Sequence, residues 1–322
     1  MRLAIAAFTD RGEALAKRIG KNVTRIGGNV SLADWTAARF ADSEALLFVG
    51  AAGIAVRAIA PHVKSKATDP AVLVADEAGR FVIPILSGHL GGANALAEEI
   101  AAKLQATAVI TTATDLRGVF AVDLWAKAQG MTVLQPERIR RVSAKLLAGE
   151  SVAIYCPWPI EGTPPEGVHL GSNADVVVSV RPQAGDAMQL VPRCLTLGVG
   201  CRRGVSAAQI EAVFRRFCAE RSVLKDAISS AASIDRKSDE AGLLEFCQSH
   251  GWPISFYTAD ELKAAEGSFS PSDFVRETVG ADNVCERSAV CASDGALFEK
   301  KYASDGVTFA LAVTQPELNS SW

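Results

Sequence analysis

Short apolar runs alternate with helix-patterned segments through the first third of the chain, and that alternation leaves few folds open. Leu3–Phe8 is apolar and precedes the helical pattern Glu13–Ile19. Ala45–Val49 stops at Gly50, Ala71–Ala75 and Phe81–Leu86 are two more strand-like runs, and Asn94–Leu104 has helical spacing before Val109–Thr112. Val119–Gln129 then reads as a helix stopped by Gly130. Strands alternating with helices of this length pair in parallel through crossovers. The expected fold class is therefore α/β and multi-domain. An N-terminal parallel-sheet α/β unit covers residues 1–130, a small middle α/β unit 131–192, and a separate C-terminal α/β domain 193–322.

The middle unit holds a charged helix (Pro136–Ala148) and the strands Val152–Tyr155 and Val176–Val180. Between those strands lies CPWPIEGTPPEG, whose four prolines and two glycines predict a surface excursion without regular structure. The last unit opens with the strand Cys194–Val199 and the helix Ala207–Cys218. Helices near 238–249, 260–265 and 272–279, the strand Ile254–Tyr257 and the apolar run Thr308–Val313 follow.

Charge and cysteine content exclude several functions. Thirty-three basic against 36 acidic side chains give a net charge of -3, so no bulk positive field holds nucleic acid. No apolar stretch approaches the roughly 20 residues that span a bilayer. The first residues read as a strand and an amphipathic helix instead of a signal peptide, which predicts a soluble cytoplasmic protein without a membrane partner. The seven cysteines form no Cys-x-x-Cys pair and the four histidines are scattered, so neither a disulfide framework nor a protein-held metal is expected. Gly-x-x-x-x-Gly-Lys-Ser/Thr, His-Glu-x-x-His and Gly-x-Ser-x-Gly are all missing from the sequence.

Open α/β sheets place ligands at strand ends, and three glycine loops stand there. In GAAGIAVR, Gly50 and Gly53 let the backbone approach a ligand, a helix start offers its positive end to an anion, and Arg57, Lys64 and Lys66 follow. A tight strand-to-helix turn with solvated charges explains the same residues. The second loop, SGHLGGAN, combines Ser87, Gly88, His89, Gly91, Gly92 and Asn94. Packing alone seldom asks for a hydroxyl, an imidazole and a carboxamide among three glycines, and His89 suits acid–base work. Asn94 also reads as a helix cap. In the third loop, GVGCRRG, the spacing misses a dinucleotide fingerprint by one residue, and Gly200, Arg202 and Arg203 read better as an anion cradle. Cys201 is there either a nucleophile or, with nothing nearby to activate it, a small buried thiol. Thr111, Thr112, Thr114 and Asp115 line another strand end. Asp76-Glu77 reads as hairpin chemistry as well as a carboxylate pair, and Ser238 or Asp239 as a cap for the helix that follows.

Taken together, these segments resemble the cobalt-precorrin-5A hydrolase family, the G protein of early-cobalt cobalamin biosynthesis. The resemblance rests on the run from GAAGIAVR through SGHLGGANALAEEIA, on AVITTATD and AVDLWA, and on LGVGCRRG, SIDRKSDEAGL and VCERSAV near the end. It covers nearly the whole chain. Cys285 and Ser288 stand where alanine is expected. The last unit also resembles a domain that occurs alone in the oxygen-dependent pathway.

The resemblance implies hydrolytic opening of the ring A δ-lactone of cobalt-precorrin-5A, with release of acetaldehyde and formation of cobalt-precorrin-5B. It implies no cofactor of the protein's own, because the cobalt travels with the tetrapyrrole substrate. Neighbouring pathway enzymes are further candidate partners. On this reading His89 is the acid–base group, amides of its loop meet the oxyanion, and Glu77 or Asp115 is the second acid–base group. Gly50, Gly53, Arg57, Lys66, Ser87, Gly88, Gly91, Gly92, Asn94, Thr111, Thr112, Thr114, Gly200, Arg202 and Arg203 hold the substrate and its carboxylate arms. The competing expectation is a non-catalytic tetrapyrrole-binding or escort protein. A nicotinamide-dependent dehydrogenase is a distant third.

Overall fold

A computed structural model describes residues 2–65, 68–89, 91–112, 117–271 and 282–319. The chain divides into two compact units, Met1–Leu124 with Ser143–Glu150, and Trp125–Val142 with Ser151–Trp322. The helix expected at 272–279 lies outside the described residues.

The first unit runs β1 (Leu3–Ala7), α1 (Asp10–Ile19), β2 (Val23–Arg25), α2 (Leu32–Asp42), β3 (Ala45–Val49), α3 (Ala52–Ile59), β4 (Ala71–Ala75), β5 (Phe81–Leu86), α4 (Ala93–Leu104) and β6 (Thr107–Ala108). The strands form one sheet in the order β2-β1-β3-β4-β5-β6. Side-chain alternation builds a core on each face. Ile5, Ala7, Leu47 and Leu73 pack with Leu15 of α1 and Leu96 and Ile100 of α4. Ala4, Ala6, Leu46, Phe48 and Val72 pack on the other face with Trp35 of α2 and Ile59 of α3. Strands covered on both faces must be apolar throughout, which is why β3 and β4 read as unbroken apolar runs.

The sheet is mixed rather than wholly parallel. The strands from β2 to β4 run parallel, but β5 pairs antiparallel with β4, and β6 follows β5 in parallel. The connection Asp76–Arg80 is too short for a parallel crossover, which needs about a dozen residues. Asp76 closes it. Its Oδ1 accepts from the amides of Arg80 and Phe81 at 2.8 and 2.7 Å, and Gly79 supplies the left-handed residue at φ 67°. Burial alone would raise the Asp76 carboxyl, but these two amides and the Arg80 guanidinium outweigh it and hold it below the usual range.

The second unit begins in α5 (Val122–Ala128) and continues through β7 (Thr132–Val133), α6 (Ile139–Leu147), β8 (Val152–Tyr155), β9 (Ile160–Glu161), β10 (Val168–Leu170), β11 (Val176–Val178) and β12 (Met188–Val191). Helix α6 is shared between the units by sequence. One sheet has the order β10-β8-β11-β12-β7. The proline-rich segment departs from expectation: it contains β9, which pairs in parallel with β18 (Leu318–Asn319). Two residues fit between Pro159 and Gly162, and the partner lies too far along the chain for local composition to announce it.

The last sheet, ordered β15-β14-β13-β17-β16, comprises β13 (Leu195–Cys201), β14 (Ile228–Ile234), β15 (Ile254–Tyr257), β16 (Ala296–Ser304) and β17 (Val307–Val313). Its helices are α7 (Ala207–Arg221), α8 (Ala241–His250), α9 (Ala259–Ala264) and α10 (Cys285–Ser293). Helix α7 starts in a capping box made by Ser206 and Gln209. Phe214 sits edge-on to Phe246, Trp252 and Phe309 at 5.5, 5.4 and 5.7 Å. The fully buried Glu286 of α10 accepts from the Ser270 amide (2.6 Å), the Ser270 hydroxyl (2.8 Å) and the Lys301 amide (2.6 Å), which ties three chain segments together.

Helix α10 crosses β13 at Gly198, where a Cβ would stand 1.7 Å from the Cys285 carbonyl oxygen. Backbone cannot yield there. Gly198→Ala is expected to destabilise the protein by about 3 kcal/mol or more, read as a large drop in melting temperature. Gly53→Ala, whose Cβ would meet nothing closer than 3.9 Å, is expected to leave melting unchanged or raise it slightly, because α3 gains helix propensity.

Candidate functional site

The reversal of β5 splits the expected site residues of the first unit between opposite edges of one sheet. The carboxyl ends of β1, β3 and β4 carry Thr9, Gly50 and Glu77. Thr9 caps α1 by accepting from the Gly12 amide and donates to Glu77 Oε2 at 2.5 Å. Gly50 donates to the Ala75 carbonyl at 2.9 Å, and a Cβ there would meet the Phe8 ring at 2.9 Å. Close packing of a turn thus explains Gly50. Arg57 folds back along the exposed face of α3, its Nη1 near Gly53.

The carboxyl ends of β5 and β6 lie at the other edge, about 15 Å away along the five residues of β4. Ser87, Gly88, His89, Gly91, Gly92, Asn94, Thr111 and Thr112 gather there. Ser87 adopts the left-handed conformation (φ 56°) and its hydroxyl donates to the buried Asp69 carbonyl at 3.0 Å. The Asp69 carboxylate in turn accepts from the amides of Lys64 and Ser65 at 2.8 and 2.9 Å. Close approach imposes Gly91, where a Cβ would meet Ser87 Cβ at 2.3 Å and the Ser87 carbonyl oxygen at 2.7 Å, whereas at Gly88 a Cβ would meet the Asn94 carboxamide, Oδ1 at 2.7 Å. Gly92 takes φ 83° and starts α4. The Asn94 carboxamide donates across to Thr112 Oγ1 at 3.2 Å, joining the β5 and β6 ends. Asn94 therefore does not cap α4; Gly92 holds that position without a side-chain bond.

His89 is the imidazole of this edge. Its Nδ1 stands 3.6 Å from Asp123 Oδ2, with the side chains 14 % and 5 % exposed. That is ion-pair range and slightly beyond a hydrogen bond. Asp123 does not stand out in the sequence as a site residue. Its signal was a single carboxylate inside the apolar AVDLWA segment. Three of the loop amides are engaged within the loop: those of Gly92, Ala93 and Asn94 donate to the carbonyls of His89, Ser87 and Gly88. His89 and Glu77 do not meet, since they occupy opposite edges. Lys66, Thr114 and Asp115 lie outside the described residues.

In the second unit the two arginines of the GVGCRRG loop are held differently. Gly200 belongs to β13, where a Cβ would meet Thr308 Oγ1 at 2.5 Å. Arg203 Nη1 donates to both Asp239 oxygens at 3.1 Å, lies 3.3 Å from Glu240, and its Nη2 reaches the Arg236 carbonyl. Arg202 lays its stem on Gly306 and has no acidic partner among the described residues. Burial raises the Cys201 thiol, which favours the protonated form. Neither Ser238 nor Asp239 caps α8; Glu240 holds the cap position without a side-chain bond and instead accepts from the Gly204 amide and Lys237, both at 3.1 Å. Among the described residues no group of three or more His, Cys, Asp and Glu side chains is placed to hold a metal ion.

Comparison with known proteins bears on the whole chain. Family models match in succession: the cobalamin synthesis G N-terminal region over residues 34–115, the cobalamin biosynthesis central region over 120–191, and the cobalamin synthesis G C-terminus over 195–312. A Priestia megaterium protein named cobalt-precorrin-5A hydrolase is 31 % identical, with 96 % of this chain and 94 % of that one covered. A Salmonella typhimurium LT2 protein of the same name is 32 % identical, with 97 % of each covered. Protein CobE of a Sinorhizobium species is 31 % identical over 37 % of this chain and 79 % of its own.

The Glu240 cluster has a pH signature. Burial would raise this carboxyl, yet the Gly204 amide, Lys237 and Arg203 hold it below the ordinary value. A lowered folded-state value gives stability that is present above the unfolded pKa and lost as pH falls through the folded one. Between about pH 5 and about pH 3, the melting temperature is expected to fall more steeply for the parent protein than for Glu240→Gln, as scanning calorimetry would record.

Proposed function

The chain belongs to the cobalamin biosynthesis G protein family, and from that premise we propose that it is a cobalt-precorrin-5A hydrolase working at the shared edge of β5 and β6. The observation that carries this location is the Ser87–Asn94 loop, which presents an imidazole beside a buried carboxylate and is braced by the Ser87, Asn94 and Thr112 contacts. The reaction is lactone opening. Water adds to the lactone carbonyl while His89 takes its proton, and the proton passes to the departing ring oxygen as the carboxylate forms. The same hydroxyl then gives its proton back to His89, becomes the carbonyl of acetaldehyde, and leaves the carbon–carbon electron pair on the macrocycle. One imidazole serves both stages, so Glu77 at the opposite edge is not required.

The cobalt enters with the substrate and the protein adds no cofactor of its own. Substrate carboxylate arms need cations at the same edge. Lys64 qualifies: its backbone is tied through Asp69 to Ser87 and its side chain is exposed. Arg57 sits at the other edge, and Arg203 is engaged by Asp239, so neither is assigned an arm. No helix among the described residues is long and apolar enough to cross a membrane. The seven free thiols suit a reducing compartment, and the cytoplasm is the location assigned. An escort function is not favoured, since the extensively matching relatives are named as hydrolases.

The test is anaerobic incubation of catalytic amounts of the protein with cobalt-precorrin-5A, followed by an acetaldehyde assay and mass spectrometry of the corrinoid. One acetaldehyde per substrate over many turnovers is expected. Stoichiometric binding with an unchanged corrinoid mass would refute catalysis. His89→Gln is expected to lower turnover by about 10²–10⁴-fold, whereas Lys64→Gln should raise KM several-fold with kcat held.

A further inference from the structure

Asp123 occupies the first turn of α5, where a carboxylate ordinarily faces water and gains from the helix dipole. Here it is 4 % exposed, beside the fully buried Val122. A carboxylate withdrawn from water needs partners for its charge, and His89 is one ionisable group set against it. The backbone around His89 is fixed independently of Asp123. The His89 carbonyl accepts from the Gly92 amide, and the Ser87 and Gly88 carbonyls accept from the amides of Ala93 and Asn94. The loop therefore fixes where the imidazole starts, and the carboxylate facing Nδ1 bears on the direction of the ring and its tautomer.

We infer that Asp123 is a positioning residue for the reaction: it holds the proton on His89 Nδ1 and leaves Nε2 as the basic nitrogen. This rests on the assignment of His89 as the acid–base group. A carboxylate accepts only, so the nitrogen facing it is the one that carries the proton. The 3.6 Å separation closes to a hydrogen bond by a small side-chain rotation, and such contacts commonly tighten when substrate binds. The carboxylate also favours the protonated ring that forms midway through each proton transfer.

Asp123→Asn and His89→Gln separate this inference from the reading beneath it. Asp123→Asn is expected to lower kcat about 10–1000-fold with KM changed by less than about threefold, and to move the acid limb of the kcat/KM profile to lower pH because the charged neighbour is lost. Asp123→Glu should recover part of the rate. Full activity in Asp123→Asn alongside an inactive His89→Gln would overturn the role of Asp123 and leave that of His89 standing. Full activity in His89→Gln would overturn both. A measurement on the unaltered protein covers the case in which Asp123 variants do not fold. With four histidines in the chain, ¹⁵N-histidine NMR, assigned through His89→Gln, should show the Nδ1–H tautomer at alkaline pH. An Nε2–H tautomer there would overturn the inference.

Discussion

The Asp76 carboxylate, by accepting from the amides of Arg80 and Phe81, turns the chain back on itself within five residues. Much of the first unit depends on that turn. Were β5 joined to β4 by a crossover, it would run parallel and deliver Ser87–Asn94 to the edge that carries Gly50 and Glu77. The hairpin delivers it to the opposite edge instead, and β6 follows because α4 returns the chain to start a strand parallel with β5. The general rule that ligands gather at carboxyl ends of strands then applies twice in one sheet, once at each edge. The edge at β5 and β6 holds the imidazole, the buried carboxylate and the bridging carboxamide.

Glycine-rich segments in this chain answer to two different demands. At Gly198 and Gly200 the backbone is crossed by α10 and by the Thr308 side chain. At Gly88 and Gly91 the close approaches are internal to a loop that presents polar side chains. Composition does not separate these cases, since both read as glycines between a strand and a helix. The arginines differ in the same way. The Arg203 guanidinium is engaged by Asp239, Glu240 and the Arg236 carbonyl, all from the SIDRKSDEAGL segment that the family resemblance also picked out. That segment is a structural partner of the GVGCRRG loop.

Periodicity determined the α/β class, the apolar central strands and the positions of most helices, because burial on two faces leaves its mark on every residue of a strand. The SGHLGGAN loop was also legible as a polar glycine turn from a strand into a helix. Even the hairpin chemistry of Asp76–Gly79 stood in the sequence, although its consequence for the direction of β5 did not follow from the alternation of runs. Only the tertiary structure decided which residues share an edge. His89 and Glu77 are twelve positions apart and on opposite edges, while His89 and Asp123 are thirty-four apart and in contact. Strand direction and helix packing set those neighbourhoods, and both arise from pairings between distant segments that no local pattern encodes.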